Sequence, residues 1–426
     1  MDSLVIHGGV KLRGTIHVNG AKNSALPIMA AALLADEPSI IHGVPDLQDI
    51  RSQIDLLKTL GARVERRPAD GAITIAVQDR KQSHAPYDLV RKMRASICTL
   101  GPLVARRGQA RVSMPGGCAI GDRPVDLHLR GLKALGARIR LENGDIVATA
   151  KRLRGAEIFL GGNFGSTVLG TANVMCAATL ARGRTVIEGA ACEPETVDLA
   201  DYLNAMGARI TGQGTPRLII DGVKTLHGCE HRVIPDRIEA GTFLIAAAIS
   251  RSELELQNVR LDHLVAVVDK LRQVGVRMEK DNGGVRVAAL RRPLAGAITT
   301  QPYPGFPTDL QAQFMALLSL AHGNSIITEK IFPDRFLHVA ELARLGARVH
   351  REGATVMVEG RPQLIGAPVM ASDLRASAAL VLAGLAARGP TVVHRVYHID
   401  RGYEKIEERL RRVGARIERV DQKDAE

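Results

Sequence analysis

A cysteine in a glycine-rich segment is the first candidate for chemistry. In SMPGGCAIGDRPVD, residues 113–126, Cys118 follows Pro-Gly-Gly and stands close before Arg123. Glycine and proline at this density predict a loop, whereas a free cysteine is more often a small buried hydrophobe. A neighbouring cation favours the thiolate and makes it more nucleophilic. We therefore expect Cys118 to be a reactive thiol on a loop that can close over a substrate.

Charged residues recur at matching places further along the chain. Counting back fourteen residues from the turns at Asp36, Gly108, Arg251, Gly323 and Gly389 reaches Lys22, Arg94, Arg237, Asp309 and Arg375. Each of these places is the predicted start of an apolar helix. Helix N-termini favour anions, so a cation there predicts an anionic ligand nearby. Salt bridges to carboxylates such as Asp236 and Asp373 are the alternative for the cations, and a helix N-cap is the alternative for Asp309.

The third such segment departs from the rule. Counting back from Gly183 reaches Leu169 instead of a charged residue. We interpret this as a local insertion of four residues around Val168–Thr171, at a helix start that faces a ligand.

The elements that must position these residues form a repeat. A motif of the type Leu-Gly-Ala-Arg-Val occurs six times, at Gly61, Gly136, Gly207, Gly275, Gly346 and Gly414, with spacings of 68 to 75 residues. Each copy predicts a helix, a left-handed glycine C-cap and a strand, and each is paired with a second, more apolar helix. A period of this length repeated six times predicts βαβαββ units of about 70 residues, grouped as two domains of three.

Composition limits the classes of function. The 426 residues are enough for two or more cores, and the net charge of +12 suggests anionic partners or only an arginine-rich composition. The absence of tryptophan and the 3% aromatic content argue against a protein that stacks on nucleic-acid bases. Five cysteines without a CxxC pair argue against a disulfide framework or a zinc site. No signal peptide and no apolar run long enough to span a bilayer is visible, so we expect a reduced, cytoplasmic protein.

Seven motifs, taken together, resemble a known family. They are NGAKNSALP, MRASI, PGGCAIGDRPVDLH, PDRIEAGTF, FPTDLQAQF, DLRASAALVLAG and YHIDRGYEKIEE. In chain order they resemble the UDP-N-acetylglucosamine 1-carboxyvinyltransferases, which are enolpyruvyl transferases, from the first strand to about Val420. The resemblance implies a two-domain inside-out α/β barrel of six βαβαββ repeats, three per domain. It implies one domain at 22–232, a second at 1–21 plus 233–426, and an active site in the cleft between them.

The resemblance also implies the reaction. The family transfers the enolpyruvyl group of phosphoenolpyruvate to the 3′-hydroxyl of UDP-N-acetylglucosamine and releases phosphate, at the start of peptidoglycan synthesis. It proceeds by addition and elimination through a tetrahedral ketal, without a metal or another cofactor. Carbon 3 of the enol must gain a proton, which Cys118 would supply, and Asp309 would be the base for the 3′-hydroxyl.

Matching the family motifs residue by residue gives the expected site. Lys22, Cys118, Asp309 and Arg401 would be catalytic. Lys22, Arg123 and Arg401 would hold the phosphate of phosphoenolpyruvate, with Asn23 beside Lys22 and Arg375 near the carboxylate. The sugar nucleotide would contact Arg94, the segment Arg123, Pro124, Val125, Asp126 and Leu127, and Ile331 near the uracil. The other four cysteines would be structural, and we expect no nucleic-acid or membrane partner.

Several alternatives remain at this point. The presumed insertion leaves room for a paralogue that acts on a different UDP-sugar, because the family segment aligned with 163–166 contacts the sugar nucleotide. 5-Enolpyruvylshikimate-3-phosphate synthase shares the fold and the donor but uses no loop cysteine in PGGC. A nucleic-acid protein similar to the RNA 3′-phosphate cyclases would agree with the net charge, and an inactive scaffold would agree with the repeat alone.

Overall fold

The computed structural model describes residues 2–67, 70–115, 124–281 and 283–421. Within these ranges the α-helices are α1 (Lys22–Ala31), α2 (Gln48–Thr59), α3 (Tyr87–Val90), α4 (Leu100–Arg107), α5 (Asp126–Ala134), α6 (Val168–Ala178), α7 (Pro194–Ala205), α8 (Arg237–Ile249), α9 (Val265–Gln273), α10 (Gln311–Leu318), α11 (His338–Arg344), α12 (Leu374–Ala386) and α13 (Ile406–Arg412). Short 3₁₀ helices occur at Ala32–Leu34, Arg94–Thr99, Leu261–Leu264, Thr308–Leu310 and Val396–His398.

The strands are short and evenly distributed. In chain order they are β1 (Ser3–His7), β2 (Arg13–His17), β3 (Ser39–His42), β4 (Ala62–Arg66), β5 (Ile73–Val77), β6 (His84–Ala85), β7 (Gln109–Ser113), β8 (Arg138–Glu142), β9 (Asp145–Thr149), β10 (Glu157–Phe159), β11 (Gly161–Gly162), β12 (Gly165–Ser166), β13 (Arg184–Glu188), β14 (Arg209–Thr211), β15 (Arg217–Asp221), β16 (Glu230–Arg232), β17 (Glu253–Gln257), β18 (Arg277–Asp281), β19 (Gly284–Ala288), β20 (Ala297–Thr299), β21 (Asn324–Thr328), β22 (Arg348–Glu352), β23 (Thr355–Glu359), β24 (Pro368–Met370), β25 (Pro390–His394) and β26 (Arg416–Val420).

In the described chain β11 and β12 pair with each other, and the other 24 strands form six four-stranded sheets with one common pattern. The strand orders are β16-β3-β5-β4, β6-β7-β9-β8, β10-β13-β15-β14, β2-β17-β19-β18, β20-β21-β23-β22 and β24-β25-β1-β26. In each sheet the first pair is parallel and the other two pairs are antiparallel, as β20, β21, β23 and β22 illustrate. A parallel pair needs a crossover, and in four of the sheets it contains a helix. In the other two sheets β3 pairs with β16 and β2 pairs with β17, which are far apart in the sequence. The predicted α/β chain of six βαβαββ repeats is confirmed.

Contacts divide the chain into two compact units. One unit comprises the chain up to Asn19 and from Pro235 onward, and the other comprises the described residues from Gly20 to Ile234. Each unit has one contiguous apolar core of its own. The assignment of these units as two enolpyruvyl transferase domains that share an active site stays a prediction.

The helices inside each unit explain the apolar sequence segments. Twelve of the thirteen residues of α8 are buried, and α10 is buried along its whole length. A helix that is apolar all round belongs in the interior of a large core, while the sheets carry the alternation of buried and exposed residues. This arrangement, with helices inside and sheets outside, is the inside-out architecture that was expected.

The first residues of the chain complete two sheets of the unit that contains residues 235–421. Strand β1 lies between β25 and β26, with Ile6 opposite Thr391 and Ile417. Strand β2 pairs in parallel with β17. Both pairings are very distant in sequence, so this unit has a complete set of three sheets only when the N-terminal segment is in place.

The six repeat glycines have the backbone that the sequence predicts. Gly61, Gly136, Gly207, Gly275, Gly346 and Gly414 have φ values of +83°, +94°, +99°, +97°, +86° and +98°. These are left-handed conformations, which a residue with a Cβ adopts only at a cost. Each glycine therefore ends a helix and lets the chain turn into the following strand.

The inferred insertion at Val168–Thr171 is wrong. These residues form the uninterrupted first turn of α6, and the Thr167 side chain caps the helix by accepting a hydrogen bond from the Gly170 N–H. Leu169 is the second residue of α6, just as Arg375 is the second residue of α12. The third unit thus differs in the type of side chain at this place and not in the length of the helix.

Candidate active site

A carboxylate held by two arginines is the centre of the candidate site in the unit that contains residues 235–421. Asp309 lies in the 3₁₀ turn that leads into α10. Its Oδ1 accepts a hydrogen bond of 2.8 Å from Arg335 Nη1, and its Oδ2 accepts one of 3.3 Å from Arg375 Nε. Two guanidinium groups fix the orientation of this carboxylate. The N-cap alternative for Asp309 is wrong, because Pro307 and Leu310 occupy the cap positions and neither makes a side-chain cap bond.

Arg375 is a cation buried at the start of a central helix. It is 2% exposed, and its guanidinium lies 5.3 Å from the centre of the Tyr403 ring. Asp373 caps α12 by accepting hydrogen bonds from the Arg375 and Ala376 N–H groups, which fixes the backbone that carries Arg375. Among the described residues, Arg375 Nη1 is buried without a hydrogen-bond partner. A buried, unsatisfied cationic donor is a costly feature that an anionic ligand would offset.

The electrostatics of the two arginines favour their charged forms. Burial opposes the charge on Arg375, but the attraction of Tyr403 and Asp309 outweighs it and raises the pKa of the guanidinium. Burial likewise opposes the charge on Arg335, and the carboxylates of Asp309 and Asp373 raise its pKa. Glu329 also acts on Arg335 and Asp236 also acts on Arg375, so several carboxylates balance these two buried cations.

Glu329 connects Asp309 with the predicted uracil contact, Ile331. Its side chain is fully buried and accepts hydrogen bonds from Thr300 Oγ1 at 2.6 Å and Thr308 Oγ1 at 2.9 Å. It also accepts a hydrogen bond of 2.8 Å from the Ile331 N–H. Ile331 and the Thr308–Asp309 turn are therefore held by one carboxylate.

Arg401 lies in the segment between the 3₁₀ helix Val396–His398 and α13, and is partly buried. Burial and the positive charge of Arg401 lower the pKa of His398. Asp373 acts in the opposite direction on the same imidazole. Arg401 and Asp373, which caps the helix that carries Arg375, therefore both lie within electrostatic reach of His398.

In the other unit, Lys22 begins α1 and is almost fully buried. Its Nζ donates a hydrogen bond of 2.9 Å to Asp49 Oδ2, and the two side chains are 8% and 4% exposed. Helix α1 has no side-chain cap and no acidic residue in its first turn. Asp49, which projects from α2, therefore supplies the counter-charge that this helix start lacks. Asn23 follows Lys22 in the same turn and is partly buried.

The structure also brings part of the predicted sugar-nucleotide segment next to Arg94. Arg94 begins a 3₁₀ helix, and its Nη2 donates a hydrogen bond of 3.4 Å to the Pro124 carbonyl. Val125 precedes α5, and Asp126 and Leu127 are the first residues of that helix. Asp126 places a carboxylate in the first turn of α5, where the helix dipole favours negative charge.

Cys118 and Arg123 lie outside the described residues, so their predicted roles stay predictions. The four described cysteines contain free thiols, and burial raises the pKa of Cys98 to about 12 and that of Cys229 to about 11. Burial also raises the pKa of Cys176 and of Cys192. None of these four thiols has the environment of a reactive nucleophile.

Three polar residues of these clusters were missed by the sequence analysis. The repeated helix-start position identified Lys22, Asp309 and Arg375. The missed residues do not occupy that position; they are Arg335, Glu329 and Asp49. They act as partners of those residues, and a partner across a fold leaves no spacing pattern in the sequence.

Two other findings concern the described residues as a whole. They include no group of three or more histidine, cysteine, aspartate or glutamate side chains placed to hold a metal ion. No helix in the described ranges is both long and apolar enough to cross a membrane.

Comparison with known proteins agrees with this architecture over almost the whole chain. A family model described as EPSP synthase (3-phosphoshikimate 1-carboxyvinyltransferase) matches residues 6–410. The chain is 56% identical over 421 residues to the UDP-N-acetylglucosamine 1-carboxyvinyltransferase of Methylacidiphilum infernorum, with 99% of each chain covered. It is 51% identical over 427 residues to the protein of the same name from Akkermansia muciniphila, with 100% of each covered.

Solved structures show the same fold. The enolpyruvyl transferase NikO from Streptomyces tendae superposes with a TM-score of 0.89 at 27% identity, covering 98% of this chain and 99% of that one. EPSP synthase from Acinetobacter baumannii superposes with a TM-score of 0.77 at 19% identity, covering 99% of this chain and 100% of that one, which is a likeness of fold alone.

Proposed function

Because this chain belongs to the EPSP synthase (3-phosphoshikimate 1-carboxyvinyltransferase) family, we propose that it transfers the enolpyruvyl group of phosphoenolpyruvate to the 3′-hydroxyl of UDP-N-acetylglucosamine. Full-length relatives with 51–56% identity carry the name of this activity. The structural observation that supports it best is Asp309 beside the buried Arg375, whose Nη1 has no partner among the described residues. This pair offers an acceptor for a hydroxyl proton next to a donor for a carboxylate.

The proposed addition step uses one acid and one base. The 3′-oxygen of the sugar forms a bond to carbon 2 of the enol, and its proton passes to Asp309. Carbon 3 gains a proton from Cys118, which completes the tetrahedral ketal. In the elimination step carbon 3 loses a proton, the double bond forms again and the phosphate leaves with the bonding electrons of its C–O bond.

Arg375 couples donor binding to the base. Its Nε donates a hydrogen bond to Asp309, and such pairing weakens a carboxylate as a base. The carboxylate of phosphoenolpyruvate at Arg375 Nη1 competes for the same positive charge. We infer that donor binding makes Asp309 a better proton acceptor, whereas Arg335 keeps the carboxylate in place through its 2.8 Å hydrogen bond.

Lys22 and Arg401 are the proposed phosphate ligands, one from each compact unit. Lys22 is paired with Asp49, and a bound phosphate would share this ammonium group. Charge-assisted contacts of this kind are each worth about 1.5–3 kcal/mol. Lys22→Ala and Arg401→Ala should each raise the KM for phosphoenolpyruvate by at least about tenfold and leave sugar-nucleotide affinity within a few-fold. Equal weakening of both substrates would contradict these assignments.

The function itself is tested by phosphate release with a panel of acceptors. The acceptors are UDP-N-acetylglucosamine, UDP-glucose, UDP-N-acetylgalactosamine and shikimate 3-phosphate, each with phosphoenolpyruvate. We expect UDP-N-acetylglucosamine to be turned over fastest. The protein would then be a cytoplasmic enzyme of peptidoglycan synthesis. A preference for another UDP-sugar would assign a paralogous activity. A preference for shikimate 3-phosphate would assign the synthase named in the family model. No phosphate release with any of the four acceptors would overturn the proposal.

Two aspartate variants make this assay specific for the site. Asp309→Asn should lower kcat by more than about 100-fold, because an amide cannot accept the hydroxyl proton. Asp334→Asn is the matched control, since Asp334 lies in the same unit and its side chain is 81% exposed. Equal activity of the two variants would contradict the role of Asp309.

A further inference from the structure

The segment that carries Arg401 begins and ends in an unfavourable backbone conformation. It connects β25 to α13, and its end residues Arg395 and Lys405 have φ values of +60° and +43°. Left-handed backbone costs a residue with a Cβ roughly 1–2 kcal/mol. Such conformations persist only where the surrounding structure holds the chain, so this segment, residues 395–405, must be anchored.

Tyr403 provides the anchor on the C-terminal side of Arg401. Its side chain is 1% exposed, and its hydroxyl lies 2.8 Å from Thr242 Oγ1 of α8. Gln313 Nε2 of α10 donates a second hydrogen bond to the same hydroxyl, at 3.3 Å. The chain two residues after Arg401 is therefore fixed to the central helices.

Arg419 provides the anchor on the N-terminal side. From β26, its Nη1 and Nη2 donate two parallel hydrogen bonds to Asp400, to Oδ2 at 3.0 Å and Oδ1 at 2.6 Å. Its Nε donates a third, of 2.7 Å, to Glu407 Oε1 at the start of α13. These bonds raise the pKa of Arg419, with the Asp400 pairing as the largest contribution. Only the planar guanidinium fork can make this pattern, because the single nitrogen of a lysine ammonium cannot place two parallel hydrogen bonds on one carboxylate and also reach the second.

We propose that Arg419 is a positioning residue for enolpyruvyl transfer, which holds Arg401 in place through Asp400. The inference rests on the proposed function, since it assumes that Arg401 binds the phosphate of phosphoenolpyruvate. Asp400 is the residue immediately before Arg401, and Tyr403 follows shortly after it. Val396 and Ile399 stay buried when the Asp400 pairing is lost, but the backbone next to Arg401 is then no longer tied to β26. The left-handed residues at the ends of the segment favour rearrangement toward an ordinary backbone. Arg401 then loses its orientation although its own side chain is intact.

The first experiment compares Arg419→Lys with a matched control. The control is Arg184→Lys, because Arg184 also makes a two-bond fork to one carboxylate. Its exposed side chain donates from Nε and Nη2 to Asp221, at 2.8 and 2.9 Å. We expect Arg419→Lys to lower kcat/KM for phosphoenolpyruvate by about 10- to 100-fold. Affinity for UDP-N-acetylglucosamine, measured by calorimetry, should stay within about twofold for both variants, and the control should retain wild-type turnover. Wild-type turnover in Arg419→Lys would overturn the proposal.

The second experiment separates positioning from general stability. If Arg419 acts through Arg401, Arg419→Lys should change kcat/KM by less than about twofold in an Arg401→Ala background, because coupled residues are not additive. A loss of full size in that background would mean that Arg419 acts by another route and would overturn the proposal. If Arg419→Lys does not fold, Asp400→Asn in the same two backgrounds gives the same test. Failure of wild-type enzyme to release phosphate with any acceptor would refute the function instead, so the two failures are distinguishable.

Discussion

At the scale of single residues, the candidate site is a set of charges that hold one another in place. Asp309 is oriented by Arg335 and Arg375, and Lys22 is oriented by Asp49. The sequence analysis identified Lys22, Asp309 and Arg375 from their positions at helix starts, and it missed the partners Arg335 and Asp49. These partners could not be identified in this way, because an ion pair across a fold depends on three-dimensional packing and not on spacing along the chain.

The role of Cys118 as proton donor is tested by two substitutions. Cys118→Ser should lose more than about 100-fold in kcat, since a serine hydroxyl is a far weaker acid than a thiol. Cys118→Asp should retain part of the activity, because a partly desolvated carboxyl group can carry a proton near neutral pH. Phosphate release under saturating substrates measures both.

A phosphonate-bearing epoxide tests the same thiol without mutation. We expect a single adduct on Cys118, because burial keeps Cys98 and Cys176 inaccessible and protonated. Peptide mass spectrometry locates the adduct, and the Cys118→Asp variant, which lacks the thiol, serves as the resistant control. An adduct on one of the four described cysteines, or normal turnover by Cys118→Ser, would refute the assignment.

His338 gives a prediction about stability and pH. The imidazole is 1% exposed beside Arg335, and burial lowers its pKa from 6.5 to about 4. The unfolded chain therefore binds a proton at higher pH than the folded chain, so stability is lost as the pH falls from about 6.5 toward 4. We expect His338 to account for about 2 kcal/mol of the loss in unfolding free energy between pH 7.5 and 5.

Urea unfolding at the two pH values measures this contribution. His338→Gln should lose less stability on acidification than wild type does, because glutamine does not titrate. His322→Gln, at an exposed histidine of the same unit, should keep the wild-type dependence. The same pH dependence in all three proteins would show that His338 is not the group responsible.

At the scale of elements, the regular spacing of the glycine motifs predicted the repeat well, because each copy has the same structural requirements. Every unit needs a glycine to leave its outer helix, and every unit places a central helix against the same kind of core. The misreading at α6 arose from treating a change of side chain at Leu169 as a change of length. Thr167 caps this helix with a neutral hydroxyl, so no charged residue is required there.

Gly275 tests the left-handed caps without a steric complication. Its φ is +97°, and a Cβ built there would meet nothing within 4 Å. Gly275→Ala should therefore destabilise the protein through backbone strain alone, by about 1–2 kcal/mol, and Gly275→Asn should cost less because asparagine tolerates this region better. Urea unfolding midpoints measure the series, and an alanine variant as stable as wild type would refute the strain argument.

At the scale of the whole molecule, the long-range pairings are the part of the fold that local patterns do not contain. Strand β1 joins β25 and β26 across almost the full length of the chain. Its short alternating sequence predicts a strand but not its partners, and the expectation that it joins the C-terminal half came from the family resemblance. The net charge of +12 agrees with two anionic substrates and equally with an arginine-rich composition.

The most direct test of the account is to identify the product made by the wild-type protein. Incubated with phosphoenolpyruvate and UDP-N-acetylglucosamine, the enzyme should release one phosphate for each sugar nucleotide that gains an enolpyruvyl group. Nuclear magnetic resonance should place that group in an ether bond at the 3′-oxygen. Phosphate release without a modified sugar nucleotide, or an enolpyruvyl group on any other atom, would contradict the proposed reaction.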